Sequence, residues 1–100
     1  MGMLFVHEGD EQAVGEYVDL SMHRHSLLMD AARKASGAFP LVRRVSDFYR
    51  DASFERDEIA GLVGELRLLV AAGGEGQVAD LLDLCRTALD AGVGVEVIAD

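Results

Sequence analysis

His7, His23 and His25 would be the most telling residues if they converged, because imidazole is the commonest transition-metal ligand and Asp19 or Asp30 could add an oxygen. Their spacing argues against it. On a helix, positions 23 and 25 point about 160° apart, whereas helical metal motifs place their ligands three or four residues apart. Only an extended segment would turn both rings to one face. Ordinary surface or half-buried histidines are therefore expected, with no metal and no cofactor.

The densest polar cluster is Arg43-Arg44-Val45-Ser46-Asp47-Phe48-Tyr49-Arg50-Asp51. Arginines beside carboxylates can clamp an anion through paired hydrogen bonds, so a small-ligand or enzyme-like site would be built on Arg44, Asp47 and Tyr49. The plainer reading is a solvated helix face. Arg43 and Asp47 are four apart and Asp47 and Arg50 three apart, the spacing of surface ion pairs worth about 0.2–0.5 kcal/mol each. Further along, Asp80, Asp83, Thr87 and Asp90 fall on the polar side of a predicted helix as an acidic ridge, which is either simply solvated or meets a basic partner.

Signatures of catalysis are missing. Gly73-Gly74-Glu75-Gly76 lacks the Lys-Ser/Thr of a phosphate-binding loop and carries an acid in its middle, so it reads as a turn. Ser21, Ser26, Ser36, Ser46 and Ser53 occupy no nucleophile elbow. Cys85 lies on a predicted buried stripe, where a thiol is usually inert. The chain leans away from being an enzyme.

A chain of 100 residues makes one domain, 1–100, able to bury roughly 60–70% of the surface its unfolded form exposes. One cysteine permits no internal disulfide, and the N-terminus MGMLFVHEGDEQ lacks the basic and apolar regions of a signal peptide. A cytoplasmic protein without a membrane span is expected. Eighteen acids against nine bases give a net charge of −9, which repels nucleic acid and anionic lipid. The excess is uneven: residues 1–50 hold seven acids and six bases, while residues 51–100 hold eleven acids and three bases. A basic partner should meet the second half.

These residues must be positioned by a small set of elements. Met3-Leu4-Phe5-Val6, ended by Gly9-Asp10, fits a buried strand. Asp10 then caps a helix through Ala13, Val14, Tyr17 and Val18, although Val18, Leu20 and Met22 also alternate as a strand would. Met22, His25, Leu28, Met29, Ala32 and Ala35 predict a helix from Met22 to Ser36, capped by Gly37. Pro40 starts another, with Leu41, Val42, Val45, Phe48 and Tyr49 within an arc of about 120°. Phe54 and Ile59 are spaced as a hydrophobic staple, so a long helix should begin near Arg56 and run through Ile59, Leu62, Val63, Leu66, Leu69 and Val70 to Gly73-Gly74. Val78, Leu81, Leu82, Cys85, Ala88 and Leu89 repeat that stripe up to Gly92. Val93, Val95, Val97 and Ile98 form a closing strand.

The expected fold is α+β: a strand at each terminus pairing into a short sheet, three or four helices on it, and a central antiparallel helical hairpin. Two surfaces would then suit a homodimer. The C-terminal strand, with Val95 and Val97, has neither proline nor lysine to blunt an exposed edge. Gly61, Gly64 and Leu68 sit opposite the apolar stripe of the long helix, where small residues let another backbone approach.

Phe39-Pro40-Leu41, Arg44, Asp47, Tyr49, Asp51 and Phe54, followed by the Glu58–Leu69 helix and a terminal Ile-Ala-Asp, resemble a set of small bacterial proteins with a central FPLxxRxxDxYxDxxF segment. The likeness covers residues 39–69 and, more weakly, 81–100. It implies a bacterial source and the fold above, and no activity. The function expected from charge, size and the absence of chemistry is an interaction module, such as an immunity-type inhibitor of a basic toxin; the alternative is the ligand site at Arg44, Asp47 and Tyr49.

Overall fold

Met3, Leu4, Phe5 and Val6, apolar without alternation, form most of strand β1 (Met3–His7) in the computed structural model, which describes residues 2–10, 12–35 and 39–99. The chain then turns through Gly9, whose φ of 87° is a left-handed conformation open to glycine at little cost. Asp10 does cap the next segment, but the segment is a loop. Its carboxylate accepts the amides of Val14 and Gly15 at 2.9 and 2.8 Å, and Ala13 takes a φ of 53° that no helix contains. The expected helix through Ala13 and Val18 is therefore replaced by strand β2 (Tyr17–Leu20), in which Val18 and Leu20 pair with Phe5 and Met3 and enter the core. The period of two wins because it buries both Val18 and Leu20.

Ser21 caps helix α1 (Met22–Lys34) by accepting the amide of Arg24 at 3.2 Å, and His25, Leu28 and Ala32 are its buried side. Gly37, expected as its C-terminal cap, lies outside the described residues. The helix expected from Pro40 shortens to one 3-10 turn, Val42–Val45. Phe39, Val42, Val45 and Phe48 are all buried, three residues apart, the repeat of a 3-10 helix and not of an α-helix. Tyr49, which an α-helix would have turned inward, is exposed. Asp47 ends the turn by accepting the amide of Tyr49 at 3.0 Å. A short strand, β3 (Ala52–Phe54), follows.

Helix α2 (Arg56–Leu69) begins where expected. The Glu58 carboxylate reaches back to the Glu55 amide at 2.9 Å, and Phe54 and Ile59, both buried, flank the cap as the staple. Gly73 and Gly74 do not break the chain into a loop: a π-helical turn, Val70–Gly74, carries it directly into α3 (Glu75–Ala91). Helices α2 and α3 pack along each other as the expected hairpin. On α3 the buried residues are Val78, Leu81, Leu84, Cys85 and Ala88; Leu82 is only half-buried and Leu89 exposed. The stripe leans toward Leu84 because α3 also packs on β1 and β2. Gly92, with φ 71°, closes α3 as expected: its amide bonds to the Leu89 carbonyl and that of Val93 to Ala88, a Schellman arrangement.

Strand β4 (Val95–Ala99) pairs antiparallel with β1, so the two terminal strands meet as expected. The sheet has four strands rather than two, in the order β2-β1-β4-β3. That order removes the proposed dimer edge. β4 is bonded on both sides, and Val95 and Val97 are buried in the core. Three helices cover one face of this antiparallel sheet, an α+β domain in two layers. Among the described residues, no helix is long and apolar enough to cross a membrane.

Candidate functional site

Arg44 leaves the 3-10 turn and is taken up by the fold. Its guanidinium donates to the Glu58 carboxylate at 2.6 Å and to the Ser53 carbonyl at 2.5 Å, and lies 4.8 Å from the centre of the Phe54 ring. It ties the turn to β3 and to the start of α2. Asp47 is used by its own turn, while Arg43, Tyr49 and Arg50 stand exposed, Tyr49 edge-on to Phe48 at 5.4 Å. Arg44 and Asp47 are thus engaged in contacts of the fold itself, while the Tyr49 side chain is exposed.

The same contacts set the acid response of the domain. The Glu58 carboxyl is held below its ordinary value, first by the Glu55 amide and then by Arg44. A lowered folded value stabilises the fold above the ordinary carboxylate range and loses that contribution as pH falls through the lowered one. Glu58→Gln should therefore flatten the acid limb of the stability curve below about pH 4.5, read by urea unfolding across pH 3–7. An acid limb unchanged by the substitution would show that the cap carries no such linkage.

The histidines also have structural posts. His25 is buried, donates from Nε2 to the Val45 carbonyl at 2.6 Å and meets Phe48 edge-on, locking α1 to the 3-10 turn. His7 bonds from Nε2 to the Leu84 carbonyl at 3.2 Å, and His23 is exposed. Among the described residues, no three His, Cys, Asp or Glu side chains stand together as metal ligands. Burial, with Glu16 adding to it, pushes the Cys85 thiol up to about 12, so it is protonated and unreactive at neutral pH.

Two acidic surfaces remain. Asp80 and Asp83 on α3 meet Glu16, Tyr17 and Asp19 around a shallow depression of about 260 Å³. Among the described residues, Arg24 is the one base lining it, and it is already bonded to Asp80 at 3.2 Å. Asp90 stands exposed near the end of α3 and does not line this depression. Sequence reasoning missed Glu16 and Asp19 because their segment was read as a helix; the alternation of Val18 and Leu20 was the signal that places Asp19 outward. The second surface is a pair of adjoining hollows of about 520 and 800 Å³ that share Ser53 and Glu96, with Asp51 and Ile98 in one and Glu8, Glu55, Arg56 and Asp57 in the other.

Of the small-residue face, Gly61 has a packing role within the fold: a Cβ there would stand 3.0 Å from the Leu41 side chain. Gly64 faces open space and Leu68 is exposed. What fold and surface define together is a two-layer α+β domain with an acidic exterior. Comparison of the chain with protein-family models, curated proteins and solved structures yields no match.

Proposed function

We propose that the protein is an acidic protein–protein interaction module of the cytoplasm that docks on a basic partner. One observation carries the reading: Glu16, Asp19, Asp80 and Asp83 come from separate parts of the chain to one depression whose single base is already engaged by Asp80. Net negative charge is thus concentrated where a partner's lysines or arginines would be drawn in and steered. The charge of −9 and the small size match an immunity-type inhibitor of a basic toxin. A small-ligand site has less behind it, since Arg44 and Asp47 are spent on caps and turns.

The test is association kinetics with a partner recovered from the native host. Its on-rate should fall steeply between low and physiological salt, because exposed charges act through screened fields. Reversing Asp80, Asp83 and Asp90 to Lys should slow it, with Asp90 contributing least since it stands apart. A partner whose on-rate ignores both salt and the reversal would sink the proposal.

A further inference from the structure

Resting on the interaction reading above, we infer that the open face of the sheet is the docking surface, and that its occupant is a partner protein presenting apolar side chains flanked by lysine or arginine. Strand alternation and register place Leu4, Val6, Tyr17, Asp19, Ser53, Glu96 and Ile98 on the face opposite the helices, since Met3, Phe5, Val18, Leu20, Val95 and Val97 belong to the core. An antiparallel sheet with one wet face normally alternates polar outward. This one does not. Leu4 is flanked by Asp19 and Ile98, and Val6 by Tyr17 and Glu96, so apolar groups occupy the middle of the face. β1 carries the sequence signature of a strand covered on both sides, yet the helices cover one. Val6 is fully shielded by its neighbours, whereas Leu4 and Ile98 are half-exposed and Tyr17 exposed.

Charge decides what covers it. Among the described residues, the two on the face that are charged at neutral pH, Asp19 and Glu96, are acids, and in the adjoining hollows Asp51, Glu8, Glu55 and Asp57 outnumber the base Arg56. A second copy related by a two-fold axis would bring this acidic rim against itself while removing it from water, which is unfavourable. A cationic rim around an apolar centre satisfies both the carboxylates and the exposed parts of Leu4, Tyr17 and Ile98.

The experiment uses the full chain, nitrogen-15 labelled, titrated with a synthetic peptide alternating lysine and valine and with a control alternating lysine and serine. The lysine–valine peptide should shift the amides of Leu4, Val6, Tyr17 and Ile98 and bind at least about tenfold more tightly than the control. Leu4→Lys and, separately, Ile98→Lys should each remove that preference while the thermal midpoint shows that the domain stays folded. Equal affinity for both peptides with shifts confined to Asp80 and Asp83 would overturn the sheet face and leave the acidic module standing. No saturable binding of either peptide would overturn both. A dimer by light scattering that Leu4→Lys dissociates would make the occupant a second copy and overturn the cationic partner.

Discussion

Leu66→Ala and Leu84→Ala should each lower the unfolding free energy by about 2–5 kcal/mol, the range for truncating a buried leucine, and Leu82→Ala should cost less than either. Leu66 and Leu84 are buried on facing helices of the hairpin, whereas Leu82 is only half-buried. The cost of such a change depends on how far the surroundings collapse into the space left. Here they are held apart. Leu66 already borders a small apolar void of about 20 Å³ shared with Phe5, Leu28, Val42 and Leu81, contributed by a strand, two other helices and the 3-10 turn, so relaxation on one side opens another. Leu84 lies where α3 meets β1, and its carbonyl holds His7. Urea unfolding with an unchanged slope and a lowered midpoint is the expected reading. An unmoved midpoint for Leu84→Ala would mean that the α3–sheet contact is not part of the cooperative core.

That ordering of leucines also shows what local pattern can and cannot resolve. Ile59, Leu62, Val63, Leu66 and Leu69 sit on one stripe whose buried side is unambiguous, and the staple of Phe54 and Ile59 locates the helix start to the residue. On α3 the run Leu81-Leu82-Asp83-Leu84-Cys85 offers two overlapping stripes, and the choice between them is made by β1 and β2, which no local spacing reveals. Phe39, Val42, Val45 and Phe48 were legible as a period of three, but an α-helical arc accommodates most of the same residues, and only the exposure of Tyr49 separates the two. β3 has three residues, too few to show alternation; Phe54 was assigned to the staple and serves both roles. The acidic depression was half legible: Asp80 and Asp83 follow from helix periodicity, while Glu16 and Asp19 join them only through tertiary packing.

Glu65 is the residue for which local pattern gave no role, and it supports the second large prediction. It occupies the apolar side of α2 between Leu62 and Leu69, and its carboxylate is buried. A buried polar group must be hydrogen-bonded to be tolerated, and the structure supplies its partners: the Leu41 amide at 3.2 and 3.1 Å and the Val42 amide at 2.9 Å. These are the free amides at the start of the 3-10 turn. Pro40 has none, and the next, Arg43, bonds to the Phe39 carbonyl at 2.9 Å. Glu65 is thus a cap delivered from another element, fixing the segment that carries Phe39, Val42 and Val45 into the core. Glu65→Ala should cost about 2–6 kcal/mol, because two amides lose their acceptor at about 1–3 kcal/mol each. Glu65→Gln, which keeps one carbonyl oxygen for Val42, should cost clearly less. Native-state hydrogen exchange gives the specific readout: the Leu41 and Val42 amides should exchange faster in Glu65→Ala, by a larger factor than amides of α3. If Glu65→Leu were as stable as the parent chain with those two amides still protected, the turn would not depend on this carboxylate.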